Sequence, residues 1–195
     1  CGNGNFALAL AHAGFEGSYI GIDGSHVFIQ EAQQAVALLK TTADFRFQAA
    51  DLASPDWAGA FQPESFDRIT CFAVLQHLPG KTLQQAIITQ SALLLRSGGQ
   101  LMLSAWQVFQ SLTLTARILP WDSVRVDPMQ LDPGDILLDW RAGPASEQPA
   151  CRYVHVFRSE ELLSLGKTAG LSLSSEFYSD GKNQSLALYQ VWEKL

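Results

Sequence analysis

The sequence predicts an α/β fold with a doubly wound, mostly parallel sheet and a C-terminal antiparallel hairpin. Three observations predict this class. Strand and helix signals alternate over the first two thirds of the chain, a glycine-rich turn precedes the first helix, and two strand-like runs enclose a polar turn at the end. With 195 residues, 47% of them hydrophobic, we expect one domain over residues 1–195 with a buried core.

The predicted elements of the first part follow from apolar periodicity and from the residues that interrupt it. Ser25 is a suitable N-cap for a helix, Gly14 ends the first helix, and the glycines at 98–99 end the third. Short apolar runs between these helices are typical of buried strands. The predicted helices span 5–13, 27–39 and 82–95, and the predicted strands span 18–22, 45–48, 66–72 and 100–105.

The alternation stops after the strand at 100–105. The segment 107–149 holds five prolines, and a segment of this length without regular structure is typical of a functional loop or lid. We therefore predict a substrate-side insertion or lid over 107–150. Three isolated aromatic residues favour a lid that is packed against the domain. These are Phe109, Trp121 and Trp140.

Regular structure is predicted again after the insertion. A strand over 153–157 is followed by a helix that Ser159 caps, with acidic residues in its first turn where they suit the helix dipole. Gly170 ends that helix. Strands over 171–178 and 186–192, joined by a turn at 179–183, complete the predicted hairpin.

Composition restricts the classes of function. The net charge is −6 with only 13 lysines and arginines, whereas autonomous nucleic-acid binders carry a basic face. No apolar run approaches the roughly 18–20 residues of a membrane span. Cys1, Cys71 and Cys151 are far apart, so we expect neither a disulfide framework nor a metal site, and a cytoplasmic location.

A glycine turn opens the chain, with Gly2 and Gly4 directly before the first predicted helix. Glycine lets the backbone turn sharply and approach a ligand, and the helix N-terminus then points at that ligand. Asp23 follows 21 residues after Gly2, where a Rossmann-like nucleotide site places the acid that binds ribose hydroxyls. A ligand-free turn explains the glycines almost as well, and Asp23-Gly24-Ser25 also fits a helix-entry turn.

Further motifs follow in a fixed order. Asp51-Leu52 comes after the strand at 45–48, where a carboxylate can accept from an adenine amino group, although it also fits a turn before Ser54-Pro55. Phe66-Asp67, Gln76-His77-Leu78 and Gly98-Gly99 come next. In this order the chain resembles the class I S-adenosylmethionine-dependent methyltransferases.

The resemblance implies S-adenosylmethionine as the cofactor. It implies that Gly2 and Gly4 line its methionine portion, that Asp23 holds its ribose, and that Asp51 and Leu52 flank its adenine. Phe72 and Ala73 would lie beside it. The complete set of implied cofactor-binding residues is Cys1, Gly2, Gly4, Asp23, Gly24, Asp51, Leu52, Phe72 and Ala73.

In the same family, an apolar strand that ends in Asp or Glu precedes the glycine turn. That first strand is missing from this chain, so we expect the natural chain to extend upstream. A nicotinamide-binding Rossmann domain is the main competing interpretation, because Ala7 completes a Gly-x-Gly-x-x-Ala pattern. The Gly98-Gly99 turn and the Gln76-His77-Leu78 signature favour methyl transfer.

A narrower resemblance covers residues 107–162. Leu119-Pro120-Trp121, the run 152–157 and Glu160-Glu161 resemble the tRNA wobble-uridine carboxymethyl methyltransferases. Two features depart from that group: Gln76 stands where many relatives have histidine, and Asn183 is not followed by tryptophan. Some relatives also use a small activator subunit.

Three residues are the candidate catalytic set on the substrate side. Arg152 can grip a carboxylate or phosphate with two hydrogen bonds. His155 shares a strand face with Tyr153 and Phe157, and a buried core histidine is the alternative interpretation. His77 either contacts substrate or caps the following helix.

Three functions remain open at this point. The first is O-methylation of the carboxymethyl group of a tRNA uridine, because a carboxylate is already nucleophilic and needs mainly alignment. The second is methylation of a small molecule under the lid, which the acidic charge favours. The third is a cofactor-binding module without catalysis.

Overall fold

The computed structural model describes residues 1–140 and 150–195, so positions 141–149 of the predicted insertion lie outside the described residues. The helices are α1 (Asn5–His12), α2 (His26–Ala37), α3 (Lys81–Leu94), α4 (Leu112–Thr115) and α5 (Ser159–Thr168). The strands are β1 (Ser18–Asp23), β2 (Asp44–Ala49), β3 (Phe66–Phe72), β4 (Leu95–Trp106), β5 (Ile118–Leu119), β6 (Asp135–Asp139), β7 (Cys151–His155), β8 (Leu171–Ser179) and β9 (Ala187–Lys194). The chain divides into two units, Cys1–Trp57 and Ala58–Leu195.

The first unit holds one parallel strand pair, β1 and β2, together with α1 and α2. Ser25 caps α2 as the sequence predicts, because its hydroxyl accepts from the amide of Phe28 at 3.3 Å. The start of α1 lies against α2. A Cβ on Gly4 would be 2.9 Å from the Cβ of Ala32, so only glycine fits there.

The second unit is built on a mixed sheet with the strand order β3-β4-β9-β8. β3 and β4 are parallel, whereas β9 is antiparallel to both of its neighbours. Strand β4 starts directly after α3, so Gly98 and Gly99 lie inside a strand irregularity and the prediction that they end the helix was wrong. Gly98 has a φ of 73°, and a Cβ on Gly99 would lie 2.8 Å from the carbonyl oxygen of Arg96.

A second sheet of the same unit, with the order β5-β6-β7, is entirely antiparallel. Strands β5 and β6 and helix α4 lie in the segment that was predicted to lack regular structure. That prediction was therefore wrong in part. A buried apolar cluster holds this region together, and it consists of Val108, Ile136, Leu138, Val154 and Val156 with Trp106, Leu114 and Ile118 packed against it. Phe109 is 58% exposed and so does not contribute to the predicted packing.

Helix α5 begins one residue earlier than predicted, because its N-cap is Arg158 and not Ser159. The carboxylate of Glu161 accepts from the amide of Arg158 at 2.8 Å. Ser159 instead donates its hydroxyl to Glu176 at 2.6 Å, which ties α5 to β8. The hairpin of β8 and β9 is confirmed, and the fully buried Trp192 of β9 packs on α5.

The α/β class and the C-terminal antiparallel hairpin are confirmed, and the described residues form a parallel strand pair, a mixed sheet and an antiparallel sheet. Parallel pairing joins β1 to β2 and β3 to β4. Over residues 1–140 and 150–195, no helix is long and apolar enough to cross a membrane.

Candidate functional site

The glycine turn of the first unit is held by Asp23, at the carboxyl end of β1. Gly2 and Gly4 have φ values of 57° and 87°, which other residues adopt only with strain. The amide of Gly2 donates to Asp23 Oδ2 at 2.8 Å, and the nitrogen of Cys1 donates to the carbonyl of Ile22 at 2.6 Å. The sequence prediction that these residues lie together therefore agrees with the structure.

Asp23 also receives the amide of Ser25 on Oδ1 at 2.9 Å. Burial opposes ionisation of this carboxyl, but the amides of Ser25 and Gly2 and the nitrogen of Cys1 outweigh it, so the pKa of Asp23 lies below its ordinary value. An ionised carboxylate offers about four acceptor sites, of which these three donors leave one. The side chain is 23% exposed, so a hydroxyl group can reach it.

The backbone of the glycine turn is open to a ligand at Gly2. A Cβ built on Gly2 would meet no atom within 4 Å, so the backbone there borders open space. Gly24 is exposed beside Asp23. After β2, Asp51 is exposed and its Oδ1 accepts from the amide of Ala53 at 2.9 Å, while Leu52 is half-buried. These residues of the first unit suit S-adenosylmethionine in charge and in access.

Phe72 and Ala73 belong to the second unit, at the carboxyl end of β3. Ala73 has a φ of 52°, and its amide lies 3.0 Å from the carbonyl and 3.1 Å from the hydroxyl oxygen of Ser104. A left-handed alanine is strained, and strain of this kind concentrates at functional sites. The predicted contact of both residues with the cofactor stays a prediction.

His77 and Arg152, two of the three candidate catalytic residues, contact the same group of aromatic side chains. The ring of His77 meets Trp106 edge-on at 5.4 Å, and Trp106 stacks on Trp140 at 5.6 Å. The guanidinium carbon of Arg152 lies 3.8 Å from the centre of the Trp140 ring, and that of Arg117 lies 5.3 Å from it. We call His77, Trp106, Trp140, Arg152 and Arg117 the Trp106 cluster.

The cluster lies where strand ends meet. Trp106 is the last residue of β4, His77 follows β3, and Arg152 comes from β7. Ligands of open α/β sheets bind outside the carboxyl ends of the parallel strands, which here are β3 and β4. Burial lowers the pKa of Arg152, and an arginine nonetheless keeps its charge at neutral pH.

His155 lies apart from this cluster, in the sheet of β6 and β7. Its Nδ1 is 2.6 Å from Asp135 Oδ1, and the side chains of His155 and Asp135 are only 6% and 5% exposed. Tyr153 donates its hydroxyl to the same carboxylate oxygen at 2.7 Å. Burial and the Asp135 carboxylate raise the pKa of Tyr153 above its ordinary value. As the sequence predicts, Tyr153 and His155 share one strand face.

Sequence reasoning missed several residues of this region. Arg117 gave no motif signal, Asp135 lies in a stretch that gave no strand signal, and Gln76 was noted only as part of a signature and as a departure from the wobble-uridine group. Trp140 was expected merely to pack the lid. The contacts of these residues come from long-range strand pairing, which local patterns do not reveal. In the described ranges, no group of three His, Cys, Asp or Glu side chains is placed to hold a metal ion.

Comparisons with known proteins identify the family and the fold of this chain. A family model for a methyltransferase domain matches residues 1–99, just over half of the chain. The ubiquinone biosynthesis O-methyltransferase of Xanthomonas euvesicatoria pv. vesicatoria is 35% identical over 105 residues, which are 53% of this chain and 39% of that protein. This chain thus spans about two fifths of the length of the curated relatives it matches.

Solved structures show the fold. An S-adenosylmethionine-dependent methyltransferase from Methanosarcina mazei has a TM-score of 0.76 at 22% identity, over 100% of this chain and 89% of that one. Magnesium protoporphyrin IX methyltransferase from Synechocystis PCC 6803, solved with bound S-adenosylhomocysteine, has a TM-score of 0.62 at 21% identity, over 100% and 71%. A Haloferax volcanii methyltransferase, in complex with the Trm112 methyltransferase activator, has a TM-score of 0.65 at 15% identity, over 99% and 78%.

The family model covers the glycine turn, Asp23, Asp51 and the strand that ends beside Ala73, which are the elements that the sequence predicts for the cofactor side. The chain therefore belongs to the family of S-adenosylmethionine-dependent methyltransferase domains.

Proposed function

We propose that this chain transfers the methyl group of S-adenosylmethionine to an oxygen atom of a small planar acceptor. The observation that carries the proposal is the Trp106 cluster, in which aromatic rings, a histidine and two arginines meet beside the carboxyl ends of β3 and β4. Aromatic walls with a few polar groups are typical of small-ligand sites. The relatives named as ubiquinone biosynthesis O-methyltransferases support the same substrate class.

The bound cofactor would supply a methyl group on a positively charged sulfur. Gly2 would leave room for its methionine portion, Gly4 would hold the same turn against α2, and Asp23 would accept from its ribose. Asp51 and Leu52 would flank the adenine. Cys1 and Gly24 belong to the same turns, and the role of Phe72 and Ala73 stays a prediction from the family resemblance.

Arg152 and Trp140 would hold the acceptor. A guanidinium over an indole ring is pre-organised, and it still has edge N–H groups for a carboxylate or a phenolic oxygen. His155 is too buried to touch an acceptor, so we assign it a positioning role. Its contact with Asp135 joins β7 to β6 and so fixes the strand that carries Arg152.

A second candidate is methylation of the carboxymethyl group of a tRNA wobble uridine. The run from Arg152 to Phe157 favours it, since Arg152 suits a carboxylate. A chain of net charge −6 would then need a partner to bind RNA. A small activator subunit would fill that role, and one structural relative is seen in complex with an activator.

The test uses the full natural chain with tritiated S-adenosylmethionine. One arm offers a panel of phenols and aromatic carboxylates, the other offers bulk tRNA, and half of each product is treated with mild alkali. Label on a small molecule is the expected result. Alkali-labile label on tRNA would support the second candidate. Cofactor binding with no transfer in either arm would contradict both and would indicate a binding module.

Substitution of Arg152 tests its assigned role. Lysine keeps the charge but loses the planar stack on Trp140, so Arg152→Lys should raise the KM for the acceptor about 10-fold, a cost of about 1.4 kcal/mol. The affinity for S-adenosylmethionine should not change. Arg125→Lys, at an exposed position, is the matched control and should leave both values unchanged.

A further inference from the structure

The hydrogen-bond partners of His77 fix the position of its ring proton. Nδ1 lies 3.1 Å from the carbonyl oxygen of Tyr153. A carbonyl oxygen only accepts hydrogen bonds, so Nδ1 must carry the hydrogen in this contact. The neutral imidazole then has its lone pair on Nε2.

A second contact leads independently to the same tautomer. The amide of Trp106 donates to Gln76 Oε1 at 2.6 Å, which fixes the orientation of the Gln76 side chain amide. Its NH₂ group therefore faces His77, with Nε2 of Gln76 3.4 Å from Nε2 of His77. An amide NH₂ only donates, so the facing ring nitrogen must be an acceptor. Gln76 is fully buried, so this orientation is held by packing as well.

The surroundings also keep His77 neutral. Burial lowers the pKa of His77, the Tyr153 carbonyl raises it, and the nearby charge of Arg152 lowers it again, with a net decrease. Arg152 faces His77 from β7, while β4 contributes the uncharged Trp106 ring. At neutral pH the ring is therefore an uncharged base. Its Nε2 lone pair faces the Gln76 amide at 3.4 Å, at the long limit of a hydrogen bond, so an acceptor hydroxyl must take the place of that amide to reach Nε2.

We propose that His77 Nε2 is the general base that takes the proton from a neutral hydroxyl group of the methyl acceptor. This rests on the proposed function and narrows it to a phenol or alcohol, because a carboxylate has no proton to remove. The proton passes from oxygen to Nε2 and gives imidazolium, which later returns it to water. The electron pair left on the oxygen forms the bond to the methyl carbon as the carbon–sulfur bond breaks. The two electrons of the carbon–sulfur bond stay on sulfur.

His155 does not compete for this role. Its Nδ1 contacts the buried Asp135, and its Nε2 is 4.0 Å from Glu161, inside the sheet of β6 and β7. In His77 both ring contacts are to neutral groups. The two histidines thus differ in chemistry, with one tied to a carboxylate and the other left as a neutral base.

The first test is nitrogen NMR of the full chain labelled with ¹⁵N-histidine. The sequence has four histidines, and comparison with the His77→Asn variant assigns the signal of His77. We expect the Nδ1–H tautomer at pH 7 and titration of His77 below the ordinary pKa of histidine. A proton on Nε2, or an imidazolium at pH 7, would overturn the proposal whether or not an acceptor has been identified.

The second test is kinetic and uses the acceptor found in the transfer assay. His77→Asn should lower kcat by about 100-fold or more, the lower range of general-base catalysis, while His12→Asn should not. A nitro-substituted acceptor that is already ionised should largely escape this loss, which a structural defect would not allow. Equal loss on both acceptors, or no loss, would overturn the base role alone. No transfer by the natural chain would instead overturn the proposed function.

Discussion

The Asp23 carboxylate accepts backbone amides on both of its oxygens, from Gly2 on one side and from Ser25 on the other. Asparagine has a single acceptor oxygen, so Asp23→Asn cannot hold both amides and cannot offer an anion to a ribose. We expect the affinity for S-adenosylmethionine to fall at least about 10-fold, or about 1.4 kcal/mol, as measured by isothermal titration calorimetry.

The control for this prediction is Asp44→Asn, a substitution of an exposed carboxylate at the start of β2. It removes the same charge and should leave cofactor affinity unchanged, because exposed ion pairs contribute little. Equal losses in both variants would assign the effect to net charge. The lowered pKa of Asp23 keeps the carboxyl ionised through and below its ordinary titration range, so its contribution to stability is fully present above that range and is lost as the pH falls through the folded-state pKa.

Loss of the Tyr153 hydroxyl has a defined cost in the free energy of unfolding. Tyr153→Phe removes a donor from the buried Asp135 carboxylate, and such hydrogen bonds to charged groups contribute about 1.5–3 kcal/mol. We expect a loss of that size in the free energy of unfolding, measured by urea denaturation. Tyr178→Phe changes a half-exposed tyrosine and should cost less than about 0.5 kcal/mol. A loss for Tyr153→Phe no larger than the loss for Tyr178→Phe would contradict the hydrogen bond assigned between Tyr153 and Asp135.

At the scale of elements, α5 packs on β9 through a glycine. A Cβ on Gly166 would lie 2.6 Å from ring atoms of Trp192, so Gly166→Ala must push the helix off the strand. We expect the variant to lose about 1–3 kcal/mol, measured as a lower urea midpoint with an unchanged slope. Gly59→Ala is the matched control, since its Cβ would meet no atom within 4 Å. An unfolding midpoint for Gly166→Ala equal to that of the control would show that helix and strand do not touch there.

The elements that the sequence predicted best are those with local signals. Ser25 caps α2, and the turn 179–183 joins β8 to β9, because caps and turns depend on neighbouring residues. The sheet of β5, β6 and β7 was not predicted, since pairing such as Leu138 with Arg152 depends on residues far apart in the chain. Strand β4 was predicted too short because Gly98 and Gly99, which lie in an irregular part of this strand, resemble the glycine signal that ends a helix.

The same distinction applies to the candidate site. The proximity of Gly2 and Asp23 could be predicted because their spacing along the chain is that of a turn, a helix and the next strand of a Rossmann-like unit. Trp140 and Arg117 could not, because only the folding of the insertion brings them to Trp106. His77 was predicted as a site residue, but its tautomer depends on Tyr153, 76 positions away in the sequence.

At the scale of the whole molecule, charge separates the two substrate classes. A chain of net charge −6 with 13 basic residues would gain little from counterion release on RNA. We expect no tRNA binding at about 150 mM salt, measured by fluorescence anisotropy with the full chain, and catalytic rates on a small acceptor that hardly change with salt. Micromolar tRNA affinity with a steep salt dependence would favour the wobble-uridine candidate. If tRNA binds only when an activator subunit is added, the basic surface lies on that subunit. This chain would then supply Arg152 but not the contacts to the phosphates.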